Sequence, residues 1–148
     1  MRALTSFLLA AVLVGCAVPP KPANIVAGEG CWRCKQPIRD AKLAAELVAD
    51  SGFAQKFRTI RCMSTWVAQQ KEVPAGSFYV ADYSTGKWIR AERASFVRTI
   101  VSRDTMAIDY LAFLDEDAAE RAAAEATTKI ENWEQVLALG RSNPIGGD

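Results

Sequence analysis

The segment 31–63 reads CWRCKQPIRDAKLAAELVADSGFAQKFRTIRCM and contains three of the four cysteines of the chain. It opens with the pair Cys31 and Cys34 and closes with Cys62-Met63. Histidine is absent from the whole sequence. A metal bound by these side chains would therefore be held mainly by sulfur, and a thiolate and thioether donor set favours monovalent copper.

The middle of this segment has two structural interpretations. From Asp40 to Val48, the alanine, leucine and glutamate residues give a high helix propensity. Alternatively, Ser51-Gly52 is the turn of a β-hairpin between Ala44–Asp50 and Phe53–Arg58. Local propensity alone favours the helix.

The rest of the domain predicts a mixture of helices and antiparallel strands. Ser84-Thr85-Gly86 is expected to be the turn of a hairpin. Asp117 with Glu120 resembles a capping arrangement, and Gly140 is expected to end the last helix. The expected elements are a helix over Thr59–Lys71, strands over Phe78–Tyr83, Lys87–Ala91, Ser95–Val101 and Ala107–Leu114, a helix from Asp117 to about Ala126, and a helix over Glu131–Leu139.

Length and charge narrow the functional classes. The 148 residues fit one domain, and half of them are hydrophobic, which is enough for an ordinary core. The chain has eighteen Lys and Arg and seventeen Asp and Glu, so it lacks the basic excess or basic stripe that is expected of a nucleic-acid binder. No segment has the roughly 20 apolar residues that a membrane-spanning helix needs.

The amino terminus predicts export. Residues 1–15 have the positive start and short apolar run of a secretory signal. Leu13-Val14-Gly15-Cys16 resembles the lipobox of bacterial lipoproteins, which implies lipidation of Cys16 on the periplasmic side of a membrane. In that family an aspartate after the cysteine commonly signals retention in the inner membrane. This chain has Ala17 there, so the outer membrane is possible. The alternative is a plain signal peptide with a chance cysteine.

The segment 16–30 predicts a proline-rich tether that lets the domain stand off the membrane. The globular domain is expected over residues 31–140, and residues 141–148 are expected to form a flexible tail. In an oxidising compartment Cys31 and Cys34 could form a disulfide unless a metal or a reductant protects them.

The pair Cys31 and Cys34 has three interpretations: a redox disulfide, a metal chelate, or a brace for a turn. A thioredoxin-like site has a strand before the pair, whereas a proline-rich segment stands here and Pro37 follows closely. A closed structural zinc site usually has four Cys or His ligands, and this domain offers three cysteines and no histidine.

The remaining sulfur residues have structural alternatives. Met63 on the inner face of a helix could be a core residue, because the flexible thioether fills irregular gaps. Met106 lies in a loop-like stretch and could equally be a ligand or a packing residue. Cys62 could be a small buried hydrophobic residue.

In its order of features the chain resembles the NosL family of copper-binding lipoproteins. The features are the lipobox, a cysteine pair after a short tether, Cys62-Met63 on a helix, and the runs Phe78–Tyr83, Gly86–Ala91 and Met106 to Ala112-Phe113. The resemblance implies an α+β fold of small ββαβ units with hairpins and short helices, related to the organomercurial lyase MerB. It also implies that residues 42–58 form a hairpin, against the local helix propensity.

By the same resemblance, the protein is expected to deliver copper(I) to a copper enzyme or its maturation machinery, in that family nitrous oxide reductase, and to have no catalytic activity. The family pattern at the first cysteine is Cys-Gly-Met, where this chain has Cys34-Lys35-Gln36. The expected ligands are, in falling order of preference, Cys34, Cys62, Cys31, Met63 and Met106. The alternatives are a thiol-disulfide redox protein that uses Cys31 and Cys34, and a metal-free adaptor on the same fold.

Overall fold

Two antiparallel sheets, each built from a ββαβ unit, make up most of the structure. The structure is a computed structural model, and it describes residues 18–26, 28–102 and 107–142. The first unit contains β1 (Ala45–Ala49), β2 (Ala54–Phe57), α1 (Ile60–Gln69) and β3 (Gly76–Ala81), and β4 (Trp88–Arg90) extends its sheet. The second contains β5 (Ser95–Ser102), β6 (Ala107–Phe113), α2 (Glu116–Glu125) and β7 (Ile130–Glu131), and α3 (Trp133–Ser142) follows.

Both units have the same strand order. The first sheet has the order β2-β1-β3-β4 and the second has the order β6-β5-β7, so that in each unit the third strand pairs with the first. All of these pairings are antiparallel. The expected α+β fold of ββαβ units is therefore confirmed.

The hairpin over residues 42–58 is confirmed, and the helix that local propensity favours is wrong. Strand β1 lies between β2 and β3, and its first four residues are fully or almost fully buried. A buried central strand gains packing on both faces, and this outweighs the helix propensity of Ala, Glu and Leu. Before β1, Ala41–Leu43 form a single 3₁₀ turn.

Helix α1 joins the two sheets. Thr59 caps its amino end by accepting a hydrogen bond from the backbone N–H of Cys62. The buried face of α1 contains Ile60, Met63 and Val67, as the sequence predicts. The helix contacts β1 and β2 of the first sheet, β6 of the second sheet, and α3.

The predictions made from the sequence were wrong in several details of the second unit. Asp115, not Asp117, caps α2, and its carboxylate accepts from the N–H of Ala118 at 2.8 Å. The two-residue strand β7 takes Glu131 out of the predicted last helix. Helix α3 begins at Trp133 instead, after a reciprocal pair of hydrogen bonds between Asn132 and Gln135.

Gly140 lies inside α3, which continues to Ser142, so the prediction that this glycine ends the helix is wrong. A Cβ atom at Gly140 would lie 2.7 Å from the backbone oxygen of Ser64 in α1. The glycine is therefore needed for the close approach of α3 to α1, not for a turn.

Part of the predicted tether lies against the first sheet. The Tyr79 hydroxyl donates to the carbonyl of Pro20 at 2.7 Å, and the N–H of Ala23 donates to both carboxylate oxygens of the buried Glu46 at 3.1 Å. Lys56 Nζ donates to the carbonyl of Asn24 at 2.6 Å. The segment from Pro20 to Asn24 is thus held on the domain.

Cys16 lies outside the described residues. No helix in the part of the chain that the structure describes has the length and apolarity to cross a membrane.

Gly140→Ala should lower the free energy of unfolding by roughly 1–2 kcal/mol, because overpacking against backbone costs about 2–3 kcal/mol, the upper part of the usual range, and alanine regains about 1 kcal/mol of helix propensity. Urea unfolding followed by circular dichroism measures the difference. Gly30→Ala is the matched control, since its Cβ would meet only Lys35 O at an ordinary 3.5 Å. A Gly140→Ala protein as stable as the parent would contradict the close approach.

Candidate metal centre

A tight turn positions Cys31 and Cys34. The backbone N–H of Lys35 donates to the carbonyl of Cys31 at 2.9 Å, and the N–H of Cys31 donates to the carbonyl of Gln36 at 2.8 Å. The N–H of Trp32 donates to the carbonyl of Lys56 in β2 at 2.7 Å. The turn that carries the cysteine pair is therefore attached to the edge strand of the first sheet.

Cys62 is positioned by the amino end of α1, of which it is the third residue. The carboxylate of Asp109 in β6 accepts from the backbone N–H of Arg61 at 3.0 Å and from that of Tyr110 at 2.8 Å. Thr59 accepts from the N–H of Cys62 itself at 3.2 Å. These hydrogen bonds fix the start of the helix, and with it the direction of the Cys62 side chain.

The three thiols meet at one point. The Sγ atoms of Cys31, Cys34 and Cys62 all lie within 4.8 Å of one another, and those of Cys34 and Cys62 are 3.9 Å apart. All three are free cysteines. Three sulfurs in a plane, each about 2.3 Å from a central metal, would be roughly 4.0 Å apart, so the spacing fits a three-coordinate thiolate site.

Burial differs between the three cysteines. Cys31 and Cys62 are only 1% and 7% exposed, whereas Cys34 is half-buried. Trp66 and Cys34 pack against the core cluster that contains the two buried cysteines. A metal bound by the three sulfurs would be shielded on one side and accessible past Cys34 on the other.

The pKa values of Cys31 and Cys62 are shifted in opposite directions. The pKa of Cys31 is lowered, because the Cys62 thiol hydrogen-bonds to its sulfur and the backbone N–H groups of Cys34 and Arg58 do the same. The pKa of Cys62 is raised, because the proton of its thiol serves that hydrogen bond and because burial disfavours its charged form. A metal binds the thiolate form, so the lowered pKa of Cys31 favours binding, whereas the raised pKa of Cys62 means that the metal must displace its proton.

The structure thus brings together the first three of the predicted ligands. Met63 is fully buried in the core cluster, as expected for a packing residue, and its role as a ligand stays a prediction. Met106 lies outside the described residues. Gln36, at the position of the family methionine, is exposed.

Sequence reasoning missed Asp109, which is 5% exposed and holds the amino end of α1. Burial is the main cause that raises its pKa, and hydrogen bonds from Thr59, Arg61 and Tyr110 oppose this. The signal in the sequence was a single acidic residue within the apolar run of β6. Such a residue in a strand usually has a backbone partner when it is buried.

Lys35 has a left-handed backbone conformation, with φ +62°. In the family pattern this position is a glycine, the residue that adopts this conformation at no steric cost. The exposed side chain of Lys35 compensates in part, since Nζ donates to the carbonyl of Trp32 at 2.6 Å and lies 5.0 Å from the centre of the Trp32 ring.

Lys35→Gly should raise the free energy of unfolding by roughly 0.5–1 kcal/mol, because relief of a left-handed strain of about 1–3 kcal/mol exceeds the extra chain entropy of glycine. Lys71→Gly is the control, since this exposed lysine has no positive φ and its replacement should destabilise the protein. Chemical denaturation of both variants measures the two signs. Equal destabilisation by both changes would show that the turn is unstrained.

Comparison with known proteins places this arrangement in a family. The fold is similar to that of the copper chaperone NosL from Shewanella denitrificans, with a TM-score of 0.67 and 18% sequence identity over 80% of this chain and 96% of that chain. No curated protein matches the sequence. The NosL family model matches residues 22–138, which is more than three quarters of the chain and includes all three cysteines of the cluster. The chain therefore belongs to the NosL family.

Proposed function

We propose that the protein is a copper(I) chaperone that binds its cargo through Cys31, Cys34 and Cys62. The observation that carries the proposal is the convergence of three thiols within 4.8 Å, with one of them accessible. Soft thiolate donors suit monovalent copper, and a closed four-ligand zinc site would need a further donor. The copper chaperone of similar fold supports the same function.

The division of burial suits transfer of a metal. Cys31 and Cys62 are fixed in the core and keep the copper ion from water. Cys34 lies at the surface end of the cluster, where a thiolate of an acceptor can approach. Replacing one ligand at a time lets the ion leave without passing through free solution. Such a site supports a delivery role.

The recipient is a copper enzyme or its maturation machinery, and nitrous oxide reductase is the enzyme that family resemblance suggests. Residues 1–15 then act as a lipoprotein signal, Cys16 carries the lipid, and the domain works on the periplasmic side of a bacterial membrane. The sequence of the first sixteen residues supports this location.

A second candidate function is thiol-disulfide exchange. The 3.9 Å between the sulfurs of Cys34 and Cys62, together with the lowered pKa of Cys31, favours it. The pair Cys31 and Cys34 expected from the sequence is one of three pairs in the cluster that could form a disulfide. Exchange with a dithiol in the absence of competitive copper binding would favour this function over the first.

Cys34→Ser, Cys31→Ser and Cys62→Ser should each weaken copper(I) binding by more than about 100-fold, beyond the 10–100-fold that loss of an outer-shell partner costs. Gln36→Met, which restores the family donor, should tighten binding. Affinities come from anaerobic competition with a chromogenic copper(I) chelator. A Cys16→Ser background leaves only the thiols of the cluster to be counted.

Met63→Leu is the matched control for these variants, because it conserves volume and should cost under about 1.5 kcal/mol of stability. Its copper affinity should fall far less than that of Cys34→Ser. If the Cys34→Ser protein binds copper(I) as tightly as the parent, the three thiols are not the site.

Cys16→Ser should abolish acylation and release or misprocess the protein, because no other residue would carry the lipid. Metabolic labelling with a fatty acid and fractionation of membranes measure the two effects. Undiminished labelling and membrane retention in this variant would overturn the assignment of a lipid anchor.

A further inference from the structure

An aromatic pair projects from the surface beside the thiols. Trp32, within the cysteine turn, and Phe53, at the turn of the β1–β2 hairpin, are 40% and 55% exposed. Their rings meet edge to face with their centres 5.6 Å apart. Two large apolar side chains that touch each other and remain in water are typical of a contact surface for another molecule.

Three cations border the same point. Arg33 and Lys35 flank Cys34 in the chain. Arg58 lies between β2, to which the cysteine turn is attached, and Thr59, which caps the helix that carries Cys62. None of the three forms an ion pair among the described residues, whereas Lys56 in β2 is paired with Glu29 at 2.7 Å. The accessible thiol therefore lies among unneutralised positive charges.

The charge of the protein is balanced overall but not locally. Segments 30–39 and 54–63, which contain the cluster, have six Lys or Arg and no Asp or Glu. Helix α2, in the other ββαβ unit, has four acidic residues and one arginine. Positive charges around the thiol site steer and orient oppositely charged partners, and they repel partners of like charge.

We propose that the surface formed by Trp32, Phe53, Arg33, Lys35 and Arg58 is the docking face for the copper acceptor, and that the acceptor is a protein with acidic residues around its own copper-binding thiols or thioethers. This proposal rests on the copper chaperone function. Docking would place the acceptor sulfur next to Cys34.

The transfer is a ligand exchange without a change in oxidation state. A bond between copper(I) and an acceptor thiolate forms as the bond to Cys34 breaks, and the proton lost by the acceptor thiol is taken up by the released cluster through solvent. The cations act by orienting the acceptor, so they should affect the rate of transfer and not the affinity for copper.

Two synthetic peptides with the same Cys-Xaa-Xaa-Cys pair, one flanked by glutamates and one by lysines, serve as acceptors. The copper-loaded protein, in a Cys16→Ser background, is mixed with each peptide under anaerobic conditions, and the transfer rate is followed. The ratio of the two rates should favour the acidic peptide by about tenfold at low salt and fall towards one at about 0.5 M salt, where charges are screened within a few ångströms.

The double variant Arg33→Glu/Arg58→Glu should reverse the preference while its copper affinity, measured by chelator competition, stays within about threefold of the parent. The control Arg121→Glu/Lys129→Glu changes the same number of exposed charges in the second unit and should keep the preference. Trp32→Ala should slow transfer to both peptides equally.

Each failure has a distinct meaning. A parent that does not bind copper(I) overturns the chaperone function itself. The docking face is overturned if the parent binds copper but transfers it to both peptides at the same rate. It is also overturned if the double variant keeps the preference of the parent. If the parent instead sediments with vesicles of one part phosphatidylglycerol to three parts phosphatidylcholine, and the double variant does not, the surface binds membranes and the proposal is wrong.

Discussion

The buried carboxylate of Asp109 holds the amino end of α1, the helix that contacts both sheets. The first backbone N–H groups of a helix have no partner within the helix, so a buried helix start needs acceptors from elsewhere. Asp109, on a strand of the second sheet, supplies one to Arg61 at 3.0 Å. Because α1 also contacts the first sheet, this hydrogen bond helps to hold the two halves of the domain together, beside the direct bridge between Asp82 and Ala112.

The thiol cluster is a product of that same arrangement. Cys62 follows the helix start, while Cys31 and Cys34 lie in a turn attached to β2 of the first sheet. The hairpin between them reverses the chain, so residues 28 positions apart bring their sulfurs to 3.9 Å. The packed core on one side and the surface turn on the other give the buried and accessible ends of the site.

Much of the fold and the cysteine cluster could be predicted from sequence patterns, and the failures have physical causes. Local propensity gives a helix over residues 40–48, because it does not include the burial of β1 between two strands. Gly140 was read as a helix end, since only the tertiary structure shows the backbone of Ser64 beside it. The two-residue strand β7 is too short to have a periodicity.

Some features of the site could likewise be predicted from the sequence, and others depend on tertiary contacts. The cysteine spacing and the absence of histidine indicated a sulfur site, and the NosL resemblance indicated the hairpin that closes it. The opposite pKa shifts of Cys31 and Cys62 depend on tertiary contacts that no sequence pattern reveals. The left-handed backbone conformation of Lys35 is a property of the folded turn, and no sequence pattern at this lysine indicates it.

If Cys16 carries a lipid, attachment of the amino-terminal segment to the first sheet also sets how far the domain can move from a bilayer. The carbonyl of Pro20 is already bound by Tyr79, so only three residues separate it from Cys16. Four extended steps span at most about 14 Å, roughly half the thickness of a bilayer core. Such a short linker to a lipidated Cys16 would restrict rotation of the domain and keep it close to the lipid surface. Encounters with membrane-bound acceptors would then become a search in two dimensions at high effective concentration.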